Sequence, residues 1–184
     1  MTIGSQPAVP ALDRKDLLAP PVAAALARLA DELSGELSVA DIGVAEIDPD
    51  LADTAAFCAQ YGVALEESAN CVVVAGRRDG QTRMAACMIL ATTRADVNGL
   101  VKRELGVRKA SFAPMESAVE LTGMEYGGIT PIGLPAGWPV FVDAAVARSG
   151  RVIIGSGVRR SKLTLPGAAL ASLPGAVLLE RLGR

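Results

Sequence analysis

No histidine occurs among the 184 residues. That absence excludes Ser-His-Asp and Cys-His nucleophilic catalysis and every histidine-based metal site. Any chemistry must then come from carboxylates, hydroxyls, amines, backbone dipoles or the substrate itself. Thiols and carboxylates form no cluster with metal-ligand spacing, so neither a metal nor another cofactor is expected. Aromatics are scarce at 3%, which argues against an extended base-stacking platform. No apolar run approaches the ~20 residues that a membrane helix needs. The opening MTIGSQPAVPALDRKD lacks a basic head followed by an apolar core, so residues 1–19 read as a flexible lead rather than a signal peptide. The three cysteines, Cys58, Cys71 and Cys87, are odd in number and never spaced as CxxC. Each sits in an apolar run, and they read as free, buried thiols of a cytoplasmic protein.

What is present is aliphatic. Hydrophobic residues make up 51% of the chain, enough for one core, and residues 20–184 read as a single domain. PPVAAALARLADEL (20–33) has helical spacing, with Ser34-Gly35 as its stop. LSVADIGVAEID (37–48) alternates as a strand does, and DPDLADTAAFCAQYG gives a capped helix closing at Gly62. CVVVAG (71–76) and TRMAACMILA (82–91) are strand-like, and Asp79-Gly80 between them predicts a type I′ hairpin. Asp96 caps a helix with Val97, Leu100, Val101 and Leu105 inward. VRKASFAP follows as a strand, and PMESAVELTG (114–123) as a helix. WPVFVDAAV, RVIIGSGV and Leu163–Leu165 read as further strands, with a short helix at PGAALASL. The fold class is therefore mixed α/β, and the hairpin-short links predict a mixed sheet rather than a purely parallel one.

Charge is unevenly placed. Between Arg28 and Arg77 there is no lysine or arginine, whereas Lys102, Arg103, Arg108 and Lys109 cluster, as do Arg159, Arg160 and Lys162. Such polarity raises a nucleic-acid face as a hypothesis; ordinary solvated faces explain it as well on charge alone. Gly155-Ser156-Gly157 follows a strand but lacks the third glycine and the following helix of a dinucleotide loop. The stretch TGMEYGGITPIGLP (122–135) carries more information. Gly127-Gly128 permits close approaches that side chains forbid, and exposed N–H groups there suit an anion or an ester carbonyl. Pro131 and Pro135 stiffen the loop, and Thr130 adds a hydroxyl.

LTGMEYGGITPIG resembles the most recognisable run of the YbaK/EbsC family, free-standing relatives of the editing domain of bacterial prolyl-tRNA synthetases. The likeness extends over roughly 50–178: ADVNGLVKRELGVRKASFAPMESAVELTG before the loop, VFVDAAV and VIIGSGVRRSKLTL after it. The resemblance implies a mixed, mostly antiparallel sheet curled into a partial barrel with helices around it. It implies hydrolysis of the ester joining a wrong amino acid to the 3′ end of a tRNA. Carried over by position, it makes Gly127, Gly128, Thr130 and Asp143 catalytic candidates and Pro131, Gly155 and Gly157 substrate-binding ones. Loop amides would hold the carbonyl, with Thr130 and Asn70 orienting water or the α-amino group. Asp143 is either a base or amine anchor, or a strand-end acid capping a turn. Lys102, Arg103, Lys109, Arg159, Arg160 and Lys162 would then meet acceptor-stem phosphates of the tRNA partner. The family places a lysine just before its first core strand. Here Ala69 or Asn70 stands in that place, so the alternative is a module that binds tRNA 3′ ends or an aminoacyl-like ligand without the usual catalysis. Alanine and leucine at both ends would allow a homodimer.

Overall fold

The computed structural model describes residues 1–32 and 38–184. The predicted helix stop at Ser34-Gly35 lies outside them, as does the start of the predicted strand at residue 37. The first nineteen residues, expected as a flexible lead, are instead built into the structure. β1 (Thr2–Ile3) and β2 (Gln6–Pro7) pair as a small hairpin, and β3 (Val9–Pro10) joins a sheet. Ile3 and Ala11 are fully buried and Leu17 nearly so. Apolar residues spaced through this segment find core positions, which offsets the entropy of ordering it.

α1 (Pro20–Glu32) buries Val22, Leu26 and Leu29 along one stripe. The alternation over 37–48 yields only a short strand, β4 (Gly43–Glu46), because Ser38 and Asp41 form a capping box around a 3-10 turn. Ser38 Oγ accepts from the Ala40 amide and Asp41 accepts from the Ser38 amide. Local side-chain bonding of this kind competes directly with a ladder. α2 (Thr54–Tyr61) is capped by Asp53 and closes at Gly62 as expected.

β5 (Ala69–Arg78) and β6 (Gln81–Leu90) form the central hairpin. Asp79 and Gly80 both adopt positive φ, as a type I′ turn requires. Asp96 caps a π-turn at Val97–Val101 that runs into α3 (Lys102–Glu104), and the four predicted inward residues are buried. β7 (Lys109–Phe112), α4 (Met115–Thr122) and β8 (Val140–Asp143) follow, and the strand expected to continue past Asp143 becomes α5 (Ala144–Ala147). β9 (Val152–Gly155), β10 (Ser161–Leu165), α6 (Gly167–Ala171) and β11 (Ala176–Leu179) complete the chain's elements.

Two main sheets result, ordered β3-β4-β10-β9 and β11-β8-β6-β5-β7. Every pairing in them is antiparallel except β6–β8 and β8–β11. The principal core lies between the sheets and under α1, with Val44, Met88, Val142, Ile154 and Leu163 at its centre. A second cluster covers the outer face of the five-stranded sheet, and a third packs α2 through Phe57 against Ile153 and Ala45. The two sheets meet at one seam, where Ser68 just before β5 bridges Ile153 of β9 in parallel. That seam curls them toward each other as a partial barrel without closing it.

β5 is paired along its other edge only at its ends. It meets β9 at Ser68, and β7 engages it from Val74 to Arg77, with the Ala113 amide donating to the Val73 carbonyl at 2.9 Å. Between those contacts the strand edge is open. Val73 and Arg77 both direct their carbonyls to this edge, so by two-residue alternation Cys71 turns its own N–H and C=O into the gap.

Asp143 has a structural place. Its carboxylate accepts from the Ala145 amide at 2.7 Å, capping α5, and from the Gly183 amide of the C-terminal segment. Replacing Asp143 with Ala is expected to lower stability by about 2 kcal/mol, roughly 4–8 °C in Tm, measured by thermal unfolding.

Candidate functional site

A cavity of about 350 Å³ occupies the gap between β5 and β9. Its apolar lining comes from Cys71 and Val73 on β5, Ile153 and Ile154 on β9, Phe57 on α2 and Ala118 on α4. Phe112 and Tyr126 stand beside it with well over half of each residue exposed. The polar lining is small and convergent: Ser68, Asn70, Asp53, Thr54, Lys162 and the backbone at Gly127. A larger depression of about 600 Å³ lies beside α1 and the loop from Pro131 to Pro139, but it is mainly apolar and brings together little chemistry. Few polar groups converging in an apolar recess mark the first as the candidate site.

The glycine loop is tied to the β9–β10 connection. Glu125 to Gly128 form a turn, with the Gly128 amide donating to the Glu125 carbonyl at 2.9 Å and Gly127 at φ +87°. The Gly157 amide donates to the Gly128 carbonyl at 2.7 Å, the Glu125 amide to the Gly157 carbonyl at 2.8 Å, and the Arg159 amide to the Glu125 carboxylate at 2.6 Å. Gly128 is glycine because any Cβ would lie 2.6 Å from the Val158 backbone, and Gly155 because its Cβ would lie 2.3 Å from the Gly128 carbonyl oxygen. Consequently the two loop amides are not equivalent. That of Gly128 is used internally, whereas the Gly127 amide makes no hydrogen bond among the described residues and borders the cavity.

Two cations mark the cavity at different depths. Arg159 lies beside the lining residues Tyr126 and Gly127, donating to the Pro49 carbonyl at 2.8 Å and the Tyr126 carbonyl at 3.4 Å. Lys162 comes from β10 and is 6% exposed. Its Nζ donates to the Ala52 carbonyl at 2.8 Å and sits 5.3 Å from the centre of the Phe57 ring. Burial pushes its pKa down to about 8, partly countered by Cys58 and Asp53, with Arg159 pushing the same way as burial. Asn70 accepts from the Thr54 hydroxyl at 2.8 Å, so its amide nitrogen is turned to other partners. Burial pushes the Cys71 thiol far up and Cys87 up to about 12, which keeps both protonated and unfit as nucleophiles near neutrality. Among the described residues no group of histidine, cysteine or carboxylate side chains could hold a metal.

The sequence candidates divide accordingly. Asn70, Gly127 and Gly155 line the cavity; Arg159 is not among its lining residues but lies against Gly127, which is. Thr130 does not reach it: the residue is fully buried and its Oγ1 has no hydrogen-bond partner among the described residues. Asp143 is committed to capping α5, Pro131 lines the other depression, and Gly157 packs on Ala19 and Val22. Gly128 acts by close packing rather than by a free amide. Lys162, expected among the phosphate contacts on the surface, is inside, because β10 runs between β4 and β9 and is buried on both faces. Arg160 donates to the Asp16 carbonyl of the N-terminal segment. Lys102 and Arg103 sit on the turn that packs over the outer face of the five-stranded sheet, and Lys109 is exposed on β7, three residues before Phe112. Asp53, Thr54, Phe57, Phe112 and Tyr126 were not singled out in the sequence. Asp53 and Thr54 carried only a helix-cap signal there, and nothing local tells that the cap faces a cavity.

Comparison with known proteins bears on the fold and the family. The profile of the aminoacyl-tRNA editing domain matches residues 48–173. Among curated proteins no match is found. Among solved structures, one described as a candidate trans-editing enzyme for prolyl tRNA synthetase superposes with a TM-score of 0.68 at 21% identity, covering 89% of this chain and 97% of that one. A scaffold protein used for computational epitope grafting gives the same TM-score at 20% identity over the same shares. The hypothetical protein APE2540 gives 0.63 at 26% identity, covering 72% of this chain and 85% of that one. With the profile spanning most of the sequence, from just before α2 through α6, the chain belongs to the aminoacyl-tRNA editing domain family.

Proposed function

We propose that the chain is a trans-editing aminoacyl-tRNA deacylase, cleaving the ester between a mischarged amino acid and the terminal ribose of a tRNA. The observation that carries this reading is the cavity itself: an apolar recess whose donors include the Gly127 amide, the open edge of β5 at Cys71 and the side chains of Asn70 and Lys162. An aminoacyl ester is already activated, so positioning and oxyanion stabilisation suffice without a histidine. The recess accepts the amino acid, while the tRNA 3′ end lies across the mouth. There Arg159 meets a phosphate, and Phe112 and Tyr126 offer ring faces to unpaired bases. The working compartment is the cytoplasm, where charged tRNA is found.

Three outcomes are expected. Purified protein hydrolyses at least one tRNA charged with a mismatched small amino acid faster than the buffer does; background rates for every such tRNA would end the reading. Arg159→Ala weakens tRNA binding and lowers the slope of log affinity against log salt by about 0.7, the increment for one phosphate contact on a single strand, measured by titration at several salt concentrations. Gly155→Ala forces the new methyl against the Gly128 carbonyl and so displaces the Gly127 turn; hydrolysis is expected to fall by roughly tenfold or more, read in single-turnover assays.

A further inference from the structure

We propose that Lys162 is the oxyanion-binding cation of this cavity, donating to the acyl oxygen of the ester as negative charge develops on it. The inference rests on the deacylase reading and adds to it a residue from a strand that the sequence resemblance assigned to the outer surface. Lys162 is the single lysine or arginine among the residues lining the cavity. Its ammonium has three donors. One is held by the Ala52 carbonyl at 2.8 Å, leaving two for whatever occupies the recess. No carboxylate lies within 4 Å of it among the described residues.

A buried charge without a counter-ion is costly, and a methionine would fill the same space without that cost. The lysine is anchored all the same, by the Ala52 carbonyl and the Phe57 ring, at the inner wall of a cavity whose other donors are neutral. Arrangements that hold a destabilised charge in a recess are characteristic of functional sites. Its sign selects the group it faces. A cation repels the α-ammonium of an aminoacyl ester and attracts the carbonyl oxygen. Positions 69 and 70 supply no charge, and Arg159 is engaged beside Gly127, so Lys162 is the cation placed to act at depth.

The step balances without a further reactant. Water attacks the carbonyl carbon and gives up a proton to solvent, and the carbonyl π pair moves onto oxygen, where the Lys162 N–H holds it. Collapse of the tetrahedral centre reforms the C=O bond and breaks the bond to the ribose oxygen, which takes a proton from solvent. Amino acid and free ribose hydroxyl leave, and Lys162 keeps its proton throughout. Catalysis therefore requires the charged lysine and weakens as pH rises through about 8. The groups facing Lys162 are Asp53 at the cap of α2, Cys58 within α2 and Arg159 on the connection before β10. Its strand neighbours Ala45 and Gly155 carry none, and Cys71 across the cavity is a neutral thiol.

The test compares wild type, Lys162→Met and Lys162→Arg on the tRNA that wild type hydrolyses best. Lys162→Met is expected to lower kcat by about 10²–10³-fold with KM little changed, the loss typical of one oxyanion donor, while its Tm is equal to or above that of wild type. A fall in Tm accompanied by a proportionate fall in activity would assign Lys162 a structural role and overturn the proposal; so would unchanged kcat. Background-corrected log kcat of wild type is expected to break downward near pH 8, and the break should vanish in Lys162→Arg, whose guanidinium stays charged. A break that persists there belongs to the substrate amine and counts against Lys162. The wild-type and arginine profiles decide the matter even if Lys162→Met fails to fold. Should wild type hydrolyse nothing, the deacylase reading falls separately. Calorimetric titration with an aminoalkylphosphonate ester of adenosine, whose anionic tetrahedral centre stands for the oxyanion, then judges Lys162. Binding at least tenfold weaker in Lys162→Met upholds the assignment of an oxyanion site, and equal affinity refutes it.

Discussion

The architecture turns on an unfinished edge. β5 is the longest strand of its sheet along with β6, and it carries a hairpin partner on one side for its full length. On the other side it is met by β9 at Ser68 and by β7 from Val74 onward, so the segment around Cys71 has no ladder partner. Main-chain donors and acceptors left without a strand must find water or a ligand. A cavity is the physical answer, and its position is set by where two sheets that touch at a single bridge begin to diverge. The surrounding elements complete its walls: α2 with Phe57, α4 with Ala118 and the turn at Gly127.

Rigidity is supplied by backbone packed on backbone. Gly155 lies against the Gly128 carbonyl and Gly128 against the Val158 backbone, so closely that neither position admits a side chain, and the amides of Gly157, Glu125 and Arg159 stitch the turn to the β9–β10 connection. Binding therefore costs little ordering entropy on that side of the cavity. This packing also explains why two adjacent glycines do different work. One provides the positive φ of the turn and makes no amide hydrogen bond among the described residues, and the other makes the contact that holds the turn in place.

The electrostatic arrangement follows from the absence of histidine and the burial of the thiols. With Cys71 held protonated and no metal-binding cluster among the described residues, the recess offers hydrogen-bond donors and one interior ammonium rather than a nucleophile. Such a site suits an ester that is reactive already and needs a placed carbonyl and an excluded competitor more than a strong base. The basic stretch suggested phosphate contacts alone; on the proposed reading its two cations divide the work, Arg159 beside the glycine turn holding the polymer and the buried Lys162 acting on the acyl group.

Local signals were legible in the chain. Asp79-Gly80 specified its hairpin, Asp96 its cap, Pro114 and Gly123 the ends of α4, and LTGMEYGGITPIG together with the segments flanking it identified the family and the partial barrel. These depend on backbone conformations and periodicities that each short stretch determines for itself. The sequence misled where a local pattern competed with a distant partner. The N-terminal segment, which lacks a basic head followed by an apolar core, read as a flexible lead but packs because β4 and α2 present places for Ile3 and Ala11. Thr130 and Asp143 sit close to the glycine loop in sequence or resemblance, yet the first is enclosed and the second caps α5. Lys162 read as surface charge because VRRSKLTL is basic; only the pairing of β10 between β4 and β9 decides which way each side chain points. Residue order thus determined the elements and the family, whereas burial, the gap beside Cys71 and the depth of each cation were decided by the tertiary structure, because they depend on which strands lie side by side, and no single segment contains that information.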